Sequence, residues 1–213
     1  MEISLEDGRF LVRLARKAIE AYLESGQGIK IQPPPETPKS LWKSGGVFVT
    51  LNARGKERYD SLRGCIGFPY PILPLVKATV EAAIAAATED PRFYPLSQDE
   101  LSSVAIEVSV LSEPVEVEVQ KRDELPSKVR VGEHGLIVQR GTLSGLLLPQ
   151  VAVEYKWTSE EFLKETCVKA GLSPDAWMEP GTKVLAFTAD VFAEEEPGGE
   201  VTRKLFSEKK AVE

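Results

Sequence analysis

Alternation of apolar and polar side chains is the feature that most constrains what this 213-residue chain can fold into. Residues 104–111 read VAIEVSVL, which places Val104, Ile106, Val108 and Val110 on one side of an extended segment. Three further segments are typical of β-strands: GVFVTLN, LRGCIGF and KVLAFTADVFAE. A sheet with one apolar face must bury that face against another layer. The pattern therefore predicts short strands that are covered by helices.

Helical periodicity occurs between these strands. In residues 5–26 one apolar stripe is predicted, with Ser4 and Asp7 at its start and Gly26 at its end. The members of the stripe are Phe10, Leu11, Leu14, Ala18 and Tyr22. The alanine-rich residues 69–90 predict a second helix with Pro74 in its first turn, and a capping box at residues 158–161 begins a third.

The order of these elements is the same in two parts of the chain. Residues 47–111 and 135–192 each run hairpin, helix, strand, with three strands expected between residues 128 and 151. The fold class predicted is α+β, a two-lobed layered fold of mostly antiparallel sheet packed with helices. Either a duplication or coincidence explains the repeated order. We expect one domain at 1–195, with lobes at about 1–120 and 121–195, and a frayed, charged C-terminal tail at 196–213.

Charge and composition exclude several classes of function. The net charge of −7 disfavours general nucleic-acid binding, and no run of about 18 apolar residues predicts a membrane span. The N-terminus lacks a signal-peptide pattern, so we expect a cytoplasmic protein. A single histidine, and cysteines only at positions 65 and 167, predict no metal site, no cofactor and no structural disulfide. One asparagine and 15 prolines indicate a thermophilic source.

The segment LRGCIGF, residues 62–68, predicts a strand with two different faces. Leu62, Gly64, Ile66 and Phe68 share the core face, and Arg63, Cys65 and Gly67 share the other. One hypothesis is a Cys65 thiol whose pKa is lowered by Arg63, facing space that Gly67 keeps clear. The alternative is a cysteine that fills a small buried space. No partner base is evident, because His134 is predicted to lie in a tight turn.

Two further positions are candidates for the same site. In EDPRF, Arg92 either pairs with Asp90 at the end of the helix or joins Arg63 in an anion-binding pair. Gln150 in LLLPQV ends the second hairpin, where it is a candidate polar residue of a pocket.

LRGCIG, DPRF, IEVSVL, GLLLPQV and FLKETCVKAGL together resemble the AMMECR family over roughly residues 8 to 195. The positions that match are Arg63, Gly64, Cys65, Gly67, Asp90, Arg92, Pro149 and Gln150. The resemblance implies an α+β fold of two lobes with the motif strand beside a cleft, and it implies no established biochemical role. It also implies a MEMO-type protein and a radical-SAM protein as partners.

These observations lead to three hypotheses about function. The first is a binding or partner-dependent protein with a polar cleft at Arg63, Cys65, Arg92 and Gln150, which recognises a small anionic or peptide-like ligand. The second is an enzyme that uses Cys65 as a catalytic nucleophile or redox thiol. The third is a protein–protein adaptor in which the motif is structural. The lack of a paired base favours the first and third hypotheses.

Overall fold

The computed structural model describes residues 3–25, 31–55 and 61–206. The chain divides into two compact units, of which the first comprises Met1–Glu113 and Asp190–Lys204. The second comprises Pro114–Ala189 and the residues from Leu205. The first unit therefore includes a segment from near the end of the chain. The predicted first lobe, about residues 1–120, did not include that segment.

The first unit contains a three-stranded antiparallel arrangement covered by two helices. Its elements are α1 (Leu5–Ser25), β1 (Gly46–Ala53), β2 (Leu62–Phe68), α2 (Leu75–Thr88), α3 (Gln98–Leu101) and β3 (Val104–Leu111). β1 lies in the middle and pairs antiparallel with β2 and with β3. A short 3₁₀ helix, Lys39–Trp42, precedes β1.

The second unit contains β4 (Val115–Glu116), α4 (Leu125–Lys128), β5 (His134–Arg140), β6 (Leu143–Leu147), α5 (Pro149–Glu154) and α6 (Ser159–Lys169). The strand β7 (Lys183–Glu194) begins in this unit and ends in the first, where it pairs with β8 (Val201–Lys204). β5 lies between β6 and β7 and is antiparallel to both.

The two units share the connectivity that the sequence predicted. In each, a hairpin is followed by a helical segment and then by a strand that pairs with the first strand of the hairpin. The strand pairings within each unit are antiparallel, so the α+β class with mostly antiparallel sheet is confirmed.

The core of the first unit lies between the sheet and helices α1 and α2. The apolar side chains of β1, Val47, Val49 and Leu51, are fully buried, as the alternation predicts. In α1 the side chains of Phe10 and Tyr22 are only partly buried. Leu11, Leu14 and Ala18 are buried as predicted. Val12, Ala15 and Ile19 are buried with them, so the apolar face of the helix is wider than the predicted stripe. The predicted N-terminal cap of α1 is confirmed, because the Asp7 N–H donates to Ser4 Oγ at 3.0 Å. Gly26 lies outside the described residues.

Two predictions about secondary structure were wrong. Residues 128–151 contain two strands, not three, because Pro149 begins the helix α5. In the segment predicted as a frayed tail, Val201–Lys204 form β8, and Val201 is buried. Four residues are too short for an alternation signal, and Val201 is held by tertiary contacts with the core.

Among the described residues, no helix is both long and apolar enough to cross a membrane.

Candidate functional site

The motif strand β2 is the first strand in the order β2-β1-β3, and a carboxylate from the loop after α2 bonds to it. The backbone N–H of Cys65 donates to Asp90 Oδ2 at 2.8 Å. A terminal strand otherwise presents such N–H groups to other chains. Asp90 therefore occupies a pairing position on β2 and fixes the loop 89–93 against the motif.

Asp90 also holds Arg92. The Nε of Arg92 donates to Oδ1 at 2.9 Å and its Nη2 donates to Oδ2 at 2.6 Å. Burial raises the pKa of Asp90, but hydrogen bonds from Arg92 and from the Cys65 N–H outweigh it and lower that pKa to about 2. The pairing of Arg92 with Asp90 that the sequence allowed is thus present. The Arg92 side chain remains 43% exposed, and its Nη1 makes no hydrogen bond with any described residue.

Arg63 belongs to the same cluster, but different contacts hold its side chain. Leu51 pairs with Gly64 and Asn52 with Leu62, so Arg63 is the extra residue of a β-bulge. Its Nε and Nη2 donate to Glu100 at 2.5 and 3.0 Å, and Nη1 is buried without a hydrogen-bond partner among the described residues.

Phe93 joins the two arginines. The guanidinium carbon of Arg63 lies 5.7 Å from the centroid of the Phe93 ring, and that of Arg92 lies 5.4 Å from it. Both distances are within the range of cation–π attraction. The two arginines that the sequence predicts as a pair therefore lie in one cluster, in which each is already bound to a carboxylate.

The thiol of Cys65 belongs to a polar row across the sheet. Thr50 lies between Cys65 and Glu107 in the register, and its hydroxyl donates to Cys65 Sγ at 3.2 Å. Thr50 and Glu107 are buried, whereas Cys65 is partly exposed. Burial raises the pKa of the Cys65 thiol, and the lowering by Thr50 and Arg92 does not compensate for it. A neutral thiol is a weak nucleophile.

The role that the sequence gave to Arg63 in activating this thiol was wrong. Arg63 is bound to Glu100, and the cation whose charge lowers the pKa of Cys65 is Arg92. The pKa is raised overall, which is the opposite of what an activated nucleophile requires.

The two glycines of the motif are explained by packing. A Cβ on Gly64 would lie 2.1 Å from the carbonyl oxygen of Ala86 in α2. A Cβ on Gly67 would lie 2.2 Å from the carbonyl oxygen of Val47 and 2.5 Å from the Phe48 ring. The space predicted beside Gly67 is therefore filled, and both glycines allow close approach of neighbouring backbone.

The remaining predicted positions lie in the second unit. Pro149 and Gln150 are buried in the first turn of α5, not at a strand end. His134 was predicted to lie in a tight turn, but it follows the turn at 131–133 and begins β5. Its ring accepts from the Arg130 N–H at 3.2 Å. Burial and the charge of Arg130 lower the pKa of His134. Of the predicted site residues, the structure thus brings Arg63, Cys65, Asp90 and Arg92 together within the first unit.

Sequence reasoning missed four residues of this cluster: Thr50, Phe93, Glu100 and Glu107. Glu107 carried a usable signal, because a carboxylate in the strongly apolar strand VAIEVSVL must have a polar environment when both faces are buried. No local sequence pattern indicated Glu100, because it lies 37 positions after its partner Arg63. Within the described ranges, no three His, Cys, Asp or Glu residues are grouped to hold a metal ion.

These observations define a two-unit α+β protein with an arginine–carboxylate cluster on the terminal strand of a hairpin. The AMMECR1 family model matches residues 12–192, and the chain belongs to the AMMECR1 family. A protein of Pyrococcus abyssi is 55% identical over 203 residues, covering 95% of this chain and 98% of its own length. A protein of Methanopyrus kandleri is 53% identical over 208 residues, covering 97% and 98%.

A solved structure is also similar. The crystal structure of the uncharacterised protein PH0010 from Pyrococcus horikoshii matches with a TM-score of 0.93 and 54% identity, covering 96% of this chain and 100% of that one. These relatives come from thermophilic archaea, which agrees with the thermophilic composition.

Proposed function

We propose that this chain is a binding protein whose ligand site is the cluster at Cys65 and Arg92, and that it recognises a small anionic or peptide-like ligand. The observation that carries the proposal is the way Arg92 is held. Two of its nitrogens are fixed on the buried Asp90, while the side chain stays 43% exposed with Nη1 available. A guanidinium fixed in this way loses little conformational entropy when it binds an oxyanion.

The neighbouring groups suit recognition better than catalysis. The raised pKa of Cys65 keeps its thiol neutral, so the thiol serves as a weak hydrogen-bond group beside Arg92. The buried Nη1 of Arg63 is a donor without an acceptor among the described residues. Such a donor is costly, and a small rearrangement around a bound oxygen atom would satisfy it.

The test is ligand-dependent thermal stability. Inorganic phosphate, succinate and an N-acetylated tripeptide with a free carboxylate are titrated against the wild type, Arg92→Ala and Arg92→Lys. At about 100 times Kd a ligand stabilises the folded state by about 2.7 kcal/mol. We expect a rise in Tm for at least one probe, its loss in Arg92→Ala and a reduced rise in Arg92→Lys.

Arg54→Ala is the matched control, because Arg54 is an exposed arginine of the same unit. Among the described residues its side chain forms a long ion pair of 3.7 Å with the exposed Glu196. Arg92→Ala also removes the arginine partner of Asp90, which changes the Tm of the protein without ligand. The readout is therefore the difference in Tm with and without ligand for each variant. An unchanged ligand shift in Arg92→Ala would refute the proposed site.

The competing hypothesis of a Cys65 nucleophile or redox thiol makes a different prediction. Alkylation of Cys65 by iodoacetamide is followed from about pH 6 to pH 10. We expect the rate to increase only above the ordinary thiol pKa of about 8.5. A rate that is already maximal at pH 7 would favour the enzyme and contradict the binding proposal.

The adaptor hypothesis is tested with the partners that the resemblance implies. A cytoplasmic complex with a MEMO-type protein or a radical-SAM protein would be captured by the purified chain. Capture that is retained in Arg92→Ala and Cys65→Ser would indicate an adaptor whose motif is structural.

A further inference from the structure

A groove on the first unit lies away from the residues of the motif cluster, between the exposed side of α1 and the proline-rich segment that follows it. Its volume is about 670 Å³. Residues of α1 and of the segment 34–38 line it. A groove of this size is in the range of ligand and peptide sites. The function proposed above makes no use of it.

Three cations follow one another along the helical wall. Arg9, Arg13 and Lys17 are four residues apart, so they form a stripe with a cation about every 6 Å. Arg9 pairs with the exposed Glu200 at 3.4 Å. Arg13 and Lys17 are exposed, and neither has a hydrogen bond or ion pair with any described residue. Although the chain has a net charge of −7, Arg13 and Lys17 thus form a positively charged patch on the wall of the groove.

The rest of the groove is apolar or acidic. Pro34 and Pro38 contribute apolar lining from the segment after the helix, and the partly buried Phe10 adds apolar surface from α1. The acidic residues Glu6, Asp7 and Glu36 complete the lining, and two of them belong to the first turn of α1. Among the groove-lining residues of α1, the acidic side chains therefore lie in the first turn and the basic ones lie between Arg9 and Lys17.

We propose that this groove binds an extended acidic peptide segment of a partner protein, with glutamate or aspartate at alternate positions and apolar residues between them. Alternate side chains of an extended peptide are about 6.6 Å apart and point to one side, which matches the spacing of the cations on α1. The intervening side chains then point away from the cations, and Pro34 and Pro38 supply apolar lining in the groove.

Other occupants fit this lining less well. A nucleic acid carries a charge at every phosphate and would also lie against Glu6, Asp7 and Glu36. A short peptide with spaced carboxylates can lie beside Arg13 and Lys17 alone. The negative net charge of the chain opposes unspecific binding of an acidic peptide. Any binding of such a peptide is therefore evidence for a local basic site.

The proposal is tested by fluorescence anisotropy with three labelled ten-residue peptides. The first alternates glutamate and valine, the second has the same composition in two blocks, and the third alternates lysine and valine. We expect the full-length protein to bind the first peptide about tenfold more tightly than the second and to bind the third not at all. Binding of the first peptide should weaken between about 0.05 M and about 0.5 M salt.

The variant Arg13→Glu/Lys17→Glu should weaken binding of the first peptide by about tenfold or more. Because both side chains are exposed, the variant should fold, which circular dichroism verifies. Lys121→Glu/Lys128→Glu makes the same charge change at exposed lysines of the second unit and should leave binding unchanged.

Equal binding of the alternating and blocked peptides, or an equal loss in both double variants, would overturn the proposal. So would self-association of the wild type that Arg13→Glu/Lys17→Glu abolishes, since that result would assign the groove to a second copy of this chain. Analytical ultracentrifugation without peptide measures that outcome.

Discussion

Asp90 is the residue on which the candidate site depends, because it accepts hydrogen bonds from the Cys65 N–H and from Arg92 at once. It is buried, yet its pKa is lowered to about 2. A buried carboxylate stays ionised only where donors replace its lost hydration. At this scale the structure shows Arg92 as a positioned cation and Cys65 as a neutral thiol.

The stability of the protein should reflect this carboxylate at low pH. The folded-state pKa of Asp90, about 2, is below the ordinary value of 3.8. Its ionised form therefore stabilises the folded state above about pH 4, and that contribution is lost as the pH falls through about 2. The shift corresponds to about 2 kcal/mol. We expect Asp90→Asn to lose about this much at pH 7 and to show a flatter decline between pH 4 and pH 2 in urea unfolding.

Asp99→Asn is the control for this measurement, because Asp99 is an exposed aspartate of the same unit. Its unfolding curve should follow the wild type over the whole pH range. Identical pH profiles for Asp90→Asn and the wild type would show that Asp90 does not carry the effect.

At the scale of elements, the contact between α2 and β2 determines where the motif lies. The helix is rich in alanine, and Gly64 allows its backbone to come against the strand. This close contact was indicated by composition, because small side chains permit short distances between a helix and a sheet. The loop that carries Asp90 and Arg92 begins directly after this helix, so the contact also sets the position of the site.

Gly64→Ala should therefore destabilise the protein strongly. The new Cβ would lie 2.1 Å from the Ala86 carbonyl oxygen, which is backbone and cannot rotate away. Overpacking of this kind costs about 1–3 kcal/mol or more. We expect a fall in Tm measured by thermal denaturation, together with weaker ligand binding at Arg92 because α2 must move.

Gly171→Ala provides the comparison. Gly171 has a φ of +75° and no atom within 4 Å of an added Cβ, so only the left-handed backbone opposes the substitution. This costs about 1–2 kcal/mol. A Gly64→Ala variant that is as stable as the wild type would contradict the close contact between α2 and β2.

At the scale of the whole molecule, the first unit is closed by a segment that returns from near the end of the chain. Glu194 accepts from Arg16 Nε at 2.6 Å and Nη2 at 2.5 Å, and its Oε2 accepts the Ile106 N–H at 3.0 Å. Both side chains are almost fully buried. This ion pair links α1, β3 and β7, which lie far apart in the sequence.

Arg16→Met should be among the most destabilising substitutions in the protein. Removal of one partner from a buried pair leaves the other charge uncompensated, at a cost of about 3–5 kcal/mol. Arg54→Met removes the exposed pair with Glu196 and should change the unfolding free energy by less than about 1 kcal/mol. Equal effects of the two substitutions in denaturant unfolding would refute this role of Arg16.

Local patterns alone were sufficient for much of the fold. The alternation in β1 and β3 and the capping box of α6 were predicted, because each depends on side chains within a few residues of one another. The alternation of β2 holds from Gly64 to Phe68, but the bulge at Arg63 interrupts it before Gly64. The helix α5 and the strand β8 were not predicted. α5 is only six residues long and β8 only four, which is too short for periodicity to be evident.

The sequence by itself determined the α+β class and the repeated hairpin–helix–strand order, and it singled out Arg63, Cys65, Asp90 and Arg92 as candidate site residues. Only the tertiary structure decided what these residues do. Arg63 pairs with Glu100, 37 positions away, and the pKa of Cys65 is raised by burial. Burial and long-range pairing depend on which segments meet after folding, and periodicity within a segment carries no information about its distant neighbours.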